Sequence, residues 1–341
     1  MKTTAFSSVS ATLVKLNPLI LTACVVMLLQ GCGKDTGGTT TGGAQKKLRL
    51  AFVANDANEY WAMARLGCDF AARELGDVDV EFRFPANRTA TAQQEILSAL
   101  VASGVEGIAI SPIDAGKQTD FLNTIAAKTL LVCADSDAEN SQRTCYIGTD
   151  NVAAGHKAAE ILKAALPQGG KVVLLIGYPD AQNTKDRIQG IQNGLAGSTI
   201  QIIETIADDH KSPIAQKHAQ EALAKHSDLA GLVGIYSYHG PAILTAVRGA
   251  GKAGKVKIVC FDEDSETLAG ITSGDISGTI VQEPLSIGIQ SILRMGKFLR
   301  GDKTQLAGGK IFTPSRALTT GEEVVVFQGL RKGLLQPAPA N

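Results

Sequence analysis

Leu48-Arg49-Leu50-Ala51-Phe52-Val53-Ala54, followed directly by Asn55-Asp56-Ala57-Asn58-Glu59-Tyr60-Trp61, is the stretch from which the fold can be read. Its first seven residues form a short apolar run of strand length. Asn and Asp then break the run with turn chemistry, and a helical pattern opens on Tyr60 and Trp61, the latter the sole tryptophan of the chain. Large rings at a strand-to-helix turn stand where open α/β sheets bind ligands, beyond the carboxyl ends of the strands. The competing reading is that both rings close an ordinary core, the commoner use of aromatics.

The same alternation of short apolar runs and helical patterns continues to the end of the chain. Strands are expected at Val80–Phe84, Gly107–Ile110, Leu130–Ala134, Tyr146–Gly148, Val172–Ile176, Ile200–Ile206, Leu232–Tyr236, Val256–Phe261 and Gly278–Val281, with a late one at Glu323–Phe327. Helical patterns such as Ala62–Leu75, Val152–Ala165 and Ile188–Ala196 lie between them, and Leu285–Arg300 follows. Such order builds right-handed βαβ units and parallel sheets. With about as many strands before Asp150 as after it, the expected architecture is α/β, with two doubly wound parallel-sheet lobes.

The 341 residues suffice for two domains, and 33 basic residues balance 33 acidic ones. A neutral chain offers no electrostatic reason to bind nucleic acid or an acidic membrane surface. Residues 1–32 stand outside the fold. Lys2 and Lys15 precede an apolar stretch, Leu16 to Leu29, of signal-peptide length and too short to span a bilayer. It ends in Leu29-Gln30-Gly31-Cys32, which resembles the lipobox of bacterial lipoproteins; Cys32 would then carry lipid and become the mature N-terminus. The other reading is an ordinary signal peptide cleaved nearby. Residues 33–47, rich in Gly, Thr and Lys, have the composition of a flexible tether.

Of the six cysteines, Cys24 leaves with the signal, and Cys68 and Cys260 lie in apolar patterns as buried thiols. Cys133 and Cys145 bracket a polar loop. In an oxidising envelope they are candidates for a disulfide, subject to geometry that spacing alone does not supply. No Cys/His spacing suggests zinc, and no motif asks for a cofactor. The turn after the first strand lacks G-x-G-x-x-G, which argues against a dinucleotide enzyme.

Read together, the loops after the strands collect polar and aromatic groups: Asn58, Tyr60 and Trp61; Ser111; Asp135; Arg187; Asp208 and Asp209; Tyr236, Tyr238 and His239; Asp262; and Gln282. Each has a plain alternative, such as a helix cap for Asp135 or Asp262 and a surface ion pair for Arg187. A ligand site shared by two facing lobes accounts for all of them at once. Carboxylates accept pairs of hydroxyl protons, guanidinium donates as a fork, and rings lie on apolar C–H faces, which suits a neutral polyhydroxylated ligand.

These residues resemble the type I periplasmic sugar-binding proteins, particularly the ribose-binding branch, over Leu48 to about Phe327. The most specific stretches are Asn58–Trp61, Ile147-Gly148-Thr149-Asp150-Asn151, Val259-Cys260-Phe261-Asp262 and Thr279-Ile280-Val281-Gln282-Glu283-Pro284. The resemblance implies a ligand set of Asn58, Tyr60, Trp61, Ser111, Asp135, Arg187, Asp209, Tyr238, His239, Asp262 and Gln282. It also implies a three-strand hinge near Asp150–Asn151, Gln282–Glu283 and Thr313. Residues 48–150 with 283–312 would form the N-terminal lobe, and 151–282 with 313–334 the C-terminal lobe. The chain departs from the branch at Ser111, Ser136 and Asp209, where Asn, Arg and an aromatic are expected, and around Tyr238–His239. Those departures point to a sugar other than ribose, whether another pentose, a hexose or a derivative.

The function so implied is a monomeric, lipid-anchored receptor in the cell envelope or periplasm. It would close on a monosaccharide or sugar derivative and deliver it to an ABC transporter permease. Two alternatives remain: a sugar sensor acting on a membrane kinase or chemoreceptor, and a carbohydrate-active enzyme using Asp135 and Asp262 as acid and base.

Overall fold

The structure is a computed structural model that describes residues 47–334, so the proposed signal, Cys32 and most of the tether lie outside the described residues. The first part of the chain runs β1 (Leu48–Val53), α1 (Glu59–Leu75), β2 (Val78–Arg83), α2 (Ala90–Ala102), β3 (Gly107–Ile110), α3 (Ala115–Ala126), β4 (Leu130–Ala134) and β5 (Cys145–Thr149). The second repeats the alternation as α4 (Asn151–Ala165), β6 (Gly170–Ile176), α5 (Gln182–Leu195), β7 (Ile200–Ala207), α6 (Ser212–Lys225), β8 (Leu229–Gly234), α7 (His239–Gly249), β9 (Lys257–Phe261), α8 (Ser265–Ser273) and β10 (Gly278–Val281). It closes with α9 (Pro284–Leu299), β11 (Lys310–Thr313), β12 (Arg316–Leu318) and α10 (Gly321–Leu334).

Two six-stranded sheets result. One has the order β11-β5-β4-β3-β1-β2 and is parallel throughout, and the other has the order β12-β10-β9-β8-β6-β7, with only β12 antiparallel. A parallel sheet must be covered on both faces, so its strands are apolar on both sides. That is why β3, β4 and β9 read as continuous hydrophobic runs. Each sheet carries two apolar layers. Leu50, Phe52 and Val132 lie on one face of the first sheet, and Val53, Ile108 and Leu131 on the other. The chain passes from one sheet to the other after β5, after β10 and between β11 and β12. In each sheet the strand order reverses beside its first strand, β1 or β6, and the loops beyond that point open a crevice.

Two expectations are corrected. Cys133 and Cys145 are free, buried thiols. In the β4–β5 register Cys133 pairs with Tyr146 and Cys145 with Val132. One residue of offset sends their side chains to opposite faces, Cys133 into one apolar layer and Cys145 into the other. The late strand expected at Glu323–Phe327 is instead helical, within α10. Here a capping box outweighs a β-branched run: Thr320 Oγ1 accepts from the Glu323 amide (3.2 Å), and Glu323 Oε2 accepts from the amides of Thr319 (2.6 Å) and Thr320 (3.1 Å). Val324 and Phe327, three apart, turn inward and leave Val325 and Val326 exposed, while β12 takes the edge of the second sheet.

Helices α4 and α5 touch through glycine. A Cβ on Gly155 would stand 2.2 Å from the Arg187 carbonyl oxygen, and one on Gly190 would stand 2.1 Å from that of Val152. This close approach lets Arg187 of α5 reach Asn151 at the start of α4, with Nε donating to Oδ1 at 2.8 Å. Gly190→Ala must separate backbone from backbone, since no flexible side chain can yield. We expect it to cost about 1–3 kcal/mol by denaturant unfolding and to shift the Arg187 side chain. Unchanged stability would show that the two helices have slack.

Candidate functional site

The loops after β1, β4, β6, β7, β8 and β9 converge on one cleft between the sheets. Asn58 starts α1, its Oδ1 accepting from the Trp61 amide at 3.2 Å, and this cap turns Tyr60 and Trp61 toward the cleft. The Trp61 ring is 4% exposed, packs on Phe52 and donates from Nε1 to Asn55 Oδ1 at 2.9 Å. It is therefore both a core ring and a wall of the cleft's deep end, so its two readings hold together.

Asp135 follows β4 in the left-handed region, φ 64°. The Tyr60 hydroxyl donates to Oδ1 at 2.7 Å, and the Ser111 hydroxyl to Oδ2 at 3.0 Å. Burial pushes the Asp135 carboxyl up, and Arg187 is the foremost opposing influence. Burial and the neighbouring Asp135 likewise raise the Tyr60 phenol well above its usual range, so it stays a donor.

Across the cleft, Arg187 is 2% exposed, donates to the Ile235 carbonyl at 2.6 Å and stacks over Phe261 at 4.6 Å. Asp262 follows β9, also left-handed at φ 68°. Gln282 donates to its Oδ1 at 2.6 Å and accepts from Thr149 at 2.8 Å, joining the ends of β9 and β5 through the crossing after β10. Burial lifts the Asp262 carboxyl to about 6, with Arg187 and the Gln282 bond pulling the other way.

Asn58, Tyr60, Trp61, Asp135, Arg187, Asp262 and Gln282 thus surround the deep end, and Tyr238 stands at the mouth. Ser111 and His239 are fully buried one step behind: Ser111 supports Asp135, while His239 accepts from the Tyr236 amide (3.0 Å) and meets Asp208 at 2.7 Å. Asp209 does not join them. The turn after β7 exposes it and aims its neighbours Asp208 and His210 inward. Asp208 also receives the Tyr238 hydroxyl at 2.5 Å.

The unexpected wall is His210, stacked on Tyr178 with ring centres 5.3 Å apart and edge-on to Tyr236. Burial holds its imidazole down to about 4, hence neutral at neutral pH. Its Nδ1 lies 3.5 Å from Asp56 of the opposite side, and its carbonyl accepts from Arg88 at 3.4 Å. Arg88 also pairs with Asp56 at 2.5 Å. Asn55, Asp56, Asn183 and His210 escaped sequence reasoning because polar residues in a turn have no periodicity to assign them a side. Backbone strain marks the site better: among the described residues, all five non-glycine positions with positive φ, namely Arg88, Asp135, Asp209, His210 and Asp262, fall on loops around this cleft.

Two parallel α/β lobes with their strand ends facing across a polar, aromatic cleft define a solute-binding protein. The periplasmic binding protein domain matches residues 50–303, and the chain belongs to that family. Its members are binding proteins rather than enzymes and work outside the cytoplasm. The ribose import binding protein RbsB of Bacillus subtilis is 24% identical over 293 residues, 85% of this chain and 92% of the relative. A solute-binding protein from Agrobacterium vitis, solved with α-D-tagatopyranose, superposes with a TM-score of 0.78 at 26% identity, covering 84% of this chain and 98% of its own. One from Burkholderia graminis, solved with D-arabinose, gives 0.74 at 28% identity, covering 80% and 96%.

Asp262 makes a stability prediction with a definite sign. Its folded-state pKa of about 6 lies above its ordinary 3.8, so the folded protein holds the proton more tightly. Its ionisation therefore removes stability as pH climbs from about 4 to about 6. Asp262→Asn abolishes that ionisation, so without ligand the variant should melt higher than wild type at pH 7 and alike at pH 4. A variant that melts lower at pH 7 by more than at pH 4 would contradict the assignment.

Proposed function

We propose that this protein is a lipid-tethered envelope receptor that closes on a sugar and presents it to an ABC-type permease. The observation that carries the reading is the convergence of Asp135 from one lobe with Arg187 and Asp262 from the other, beside Tyr60, Trp61 and Tyr236. The two carboxyls offer acceptors and the guanidinium a donor fork to hydroxyls. The rings supply faces for C–H groups. The relatives' names, ribose and fructose import among them, support the ligand class.

The sugar is one other than ribose, because His210 walls this cleft and Ser111 supports Asp135 where the ribose-binding branch is expected to carry an asparagine. The ligand enters with the lobes apart, since the deep end as it stands encloses about 30 Å³, room for about one water. Hinge-joined lobes of this kind close on what they bind, and a closed outer surface is what a permease can recognise. A second reading, in which the closed form engages a sensor, draws on one structural neighbour: XylFII, 25% identical, is solved in complex with a second protein, LytSN.

Calorimetry against a panel of pentoses and hexoses tests the ligand. One sugar should bind, and Arg187→Ala should weaken it by about 2–3 kcal/mol, the scale of charged hydrogen bonds. Absence of binding across the panel would overturn the receptor. The anchor rests on Leu29-Gln30-Gly31-Cys32. Wild type should take up a fatty-acid label and Cys32→Ala should not; equal labelling would remove it.

A further inference from the structure

The deep end is only part of the cleft. Through shared walls at Asn58, Tyr60, His210, Ser237 and Asp262 it opens into a cavity of about 840 Å³. Both lobes wall that volume, which opens to solvent beside the place where they touch. The lobes already meet through Asp56 and Arg88 against His210, and the deep end between them is nearly closed. The cavity lies to one side of this contact, toward α1, α8 and α10. Pockets of about 300–1,000 Å³ hold ligands of drug size, so this one exceeds the needs of a single sugar ring of a dozen heavy atoms.

Its walls are built from both lobes. Ala62 and Met63 of α1 face Leu268 of α8 and Phe327 of α10, giving an apolar strip. Around it stand Glu59, Ser212, Asp264, Ser265, Gln328 and Lys332 as a polar margin. Helix α10 is fixed there by Arg331, which pairs with Glu263 at 2.5 Å and lies 5.4 Å over the Phe327 ring. Glu263 is the residue after Asp262, so the pair ties the far wall of the cavity to the loop carrying the deep-end carboxylate. An apolar strip within a polar margin is the pattern that takes a second ring, its C–H face on Ala62 and Met63, with the small exposed edges of Leu268 and Phe327 opposite, and its hydroxyls at the margin.

We propose that the natural ligand is a glycoside or disaccharide, with one ring at Asp135, Arg187 and Asp262 and a second ring or aglycone in the cavity walled by α1, α8 and α10. This deepens the sugar-receptor reading and rests on it.

The test is calorimetry on the purified full chain with matched ligands: D-galactose, phenyl β-D-galactoside and lactose; D-glucose, phenyl β-D-glucoside and cellobiose; D-xylose and xylobiose. For the sugar that binds, the extended member of its series should bind at least tenfold more tightly than the single ring. Ala62→Trp, an exposed position of α1 that points a ring into the cavity, should erase that advantage and leave the single ring's affinity within twofold. A single ring that binds as well as its extended partners, with Ala62→Trp changing neither, would overturn the two-ring ligand and leave the sugar receptor standing. If no member of any series binds, the receptor reading falls and the two-ring ligand with it.

Discussion

Two carboxylates, Asp135 and Asp262, are buried with one guanidinium, that of Arg187, and the rest of the cleft depends on keeping those charges out of water. A buried charge without partners is prohibitive, and a buried charge with good ones is close to neutral in its effect on stability. Each carboxylate is therefore given donors. Tyr60 and Ser111 serve Asp135, Gln282 serves Asp262, and Arg187 influences both while anchored to Asn151 and Ile235. Burial still lifts both carboxyls above their ordinary range. On the proposed reading, ligand hydroxyls would complete what the protein's own donors leave short.

The two aspartates reach these positions by the same local device. Each follows the fourth strand of its lobe, β4 or β9, in the left-handed conformation that Asp tolerates better than most residues. The Asp135 amide donates to Ile147 of β5, and the Asp262 amide donates to Ile280 of β10. A hydroxyl from that next strand, Tyr146 or Thr279, then donates to the aspartate's own carbonyl, at 2.9 and 2.7 Å. The lobes thus repeat one strand-end motif and set a carboxylate on each side of the cleft. What distinguishes them is the added aromatic cluster of the second lobe, Tyr178, His210, Tyr236 and Tyr238.

The fold was largely legible in the sequence because parallel strands buried on both faces are continuous apolar runs. Where reading failed, a local interaction outweighed a pattern. Val324-Val325-Val326 has strand composition, yet the Thr320 and Glu323 capping box makes it helical. Cys133 and Cys145 are near in sequence, yet one residue of register sends them to opposite faces. Site residues at strand ends, such as Asp135 and Asp262, could be found by position alone. In the turn after β7 the choice among Asp208, Asp209 and His210 is made by backbone geometry that composition does not encode, and it fell on the two neighbours of Asp209.

The central requirement of the proposed receptor is that Asp135 and Arg187 act on a shared ligand from opposite lobes. A double-mutant cycle on sugar affinity, with Asp135→Ala, Arg187→Ala and the pair, measures it. A bridging ligand requires both sides at once, so once either is lost the second loss should matter less, giving a coupling of at least about 1 kcal/mol. Strictly additive losses, within about 0.3 kcal/mol, would mean that the two residues do not share a ligand, and the account would fail at its centre.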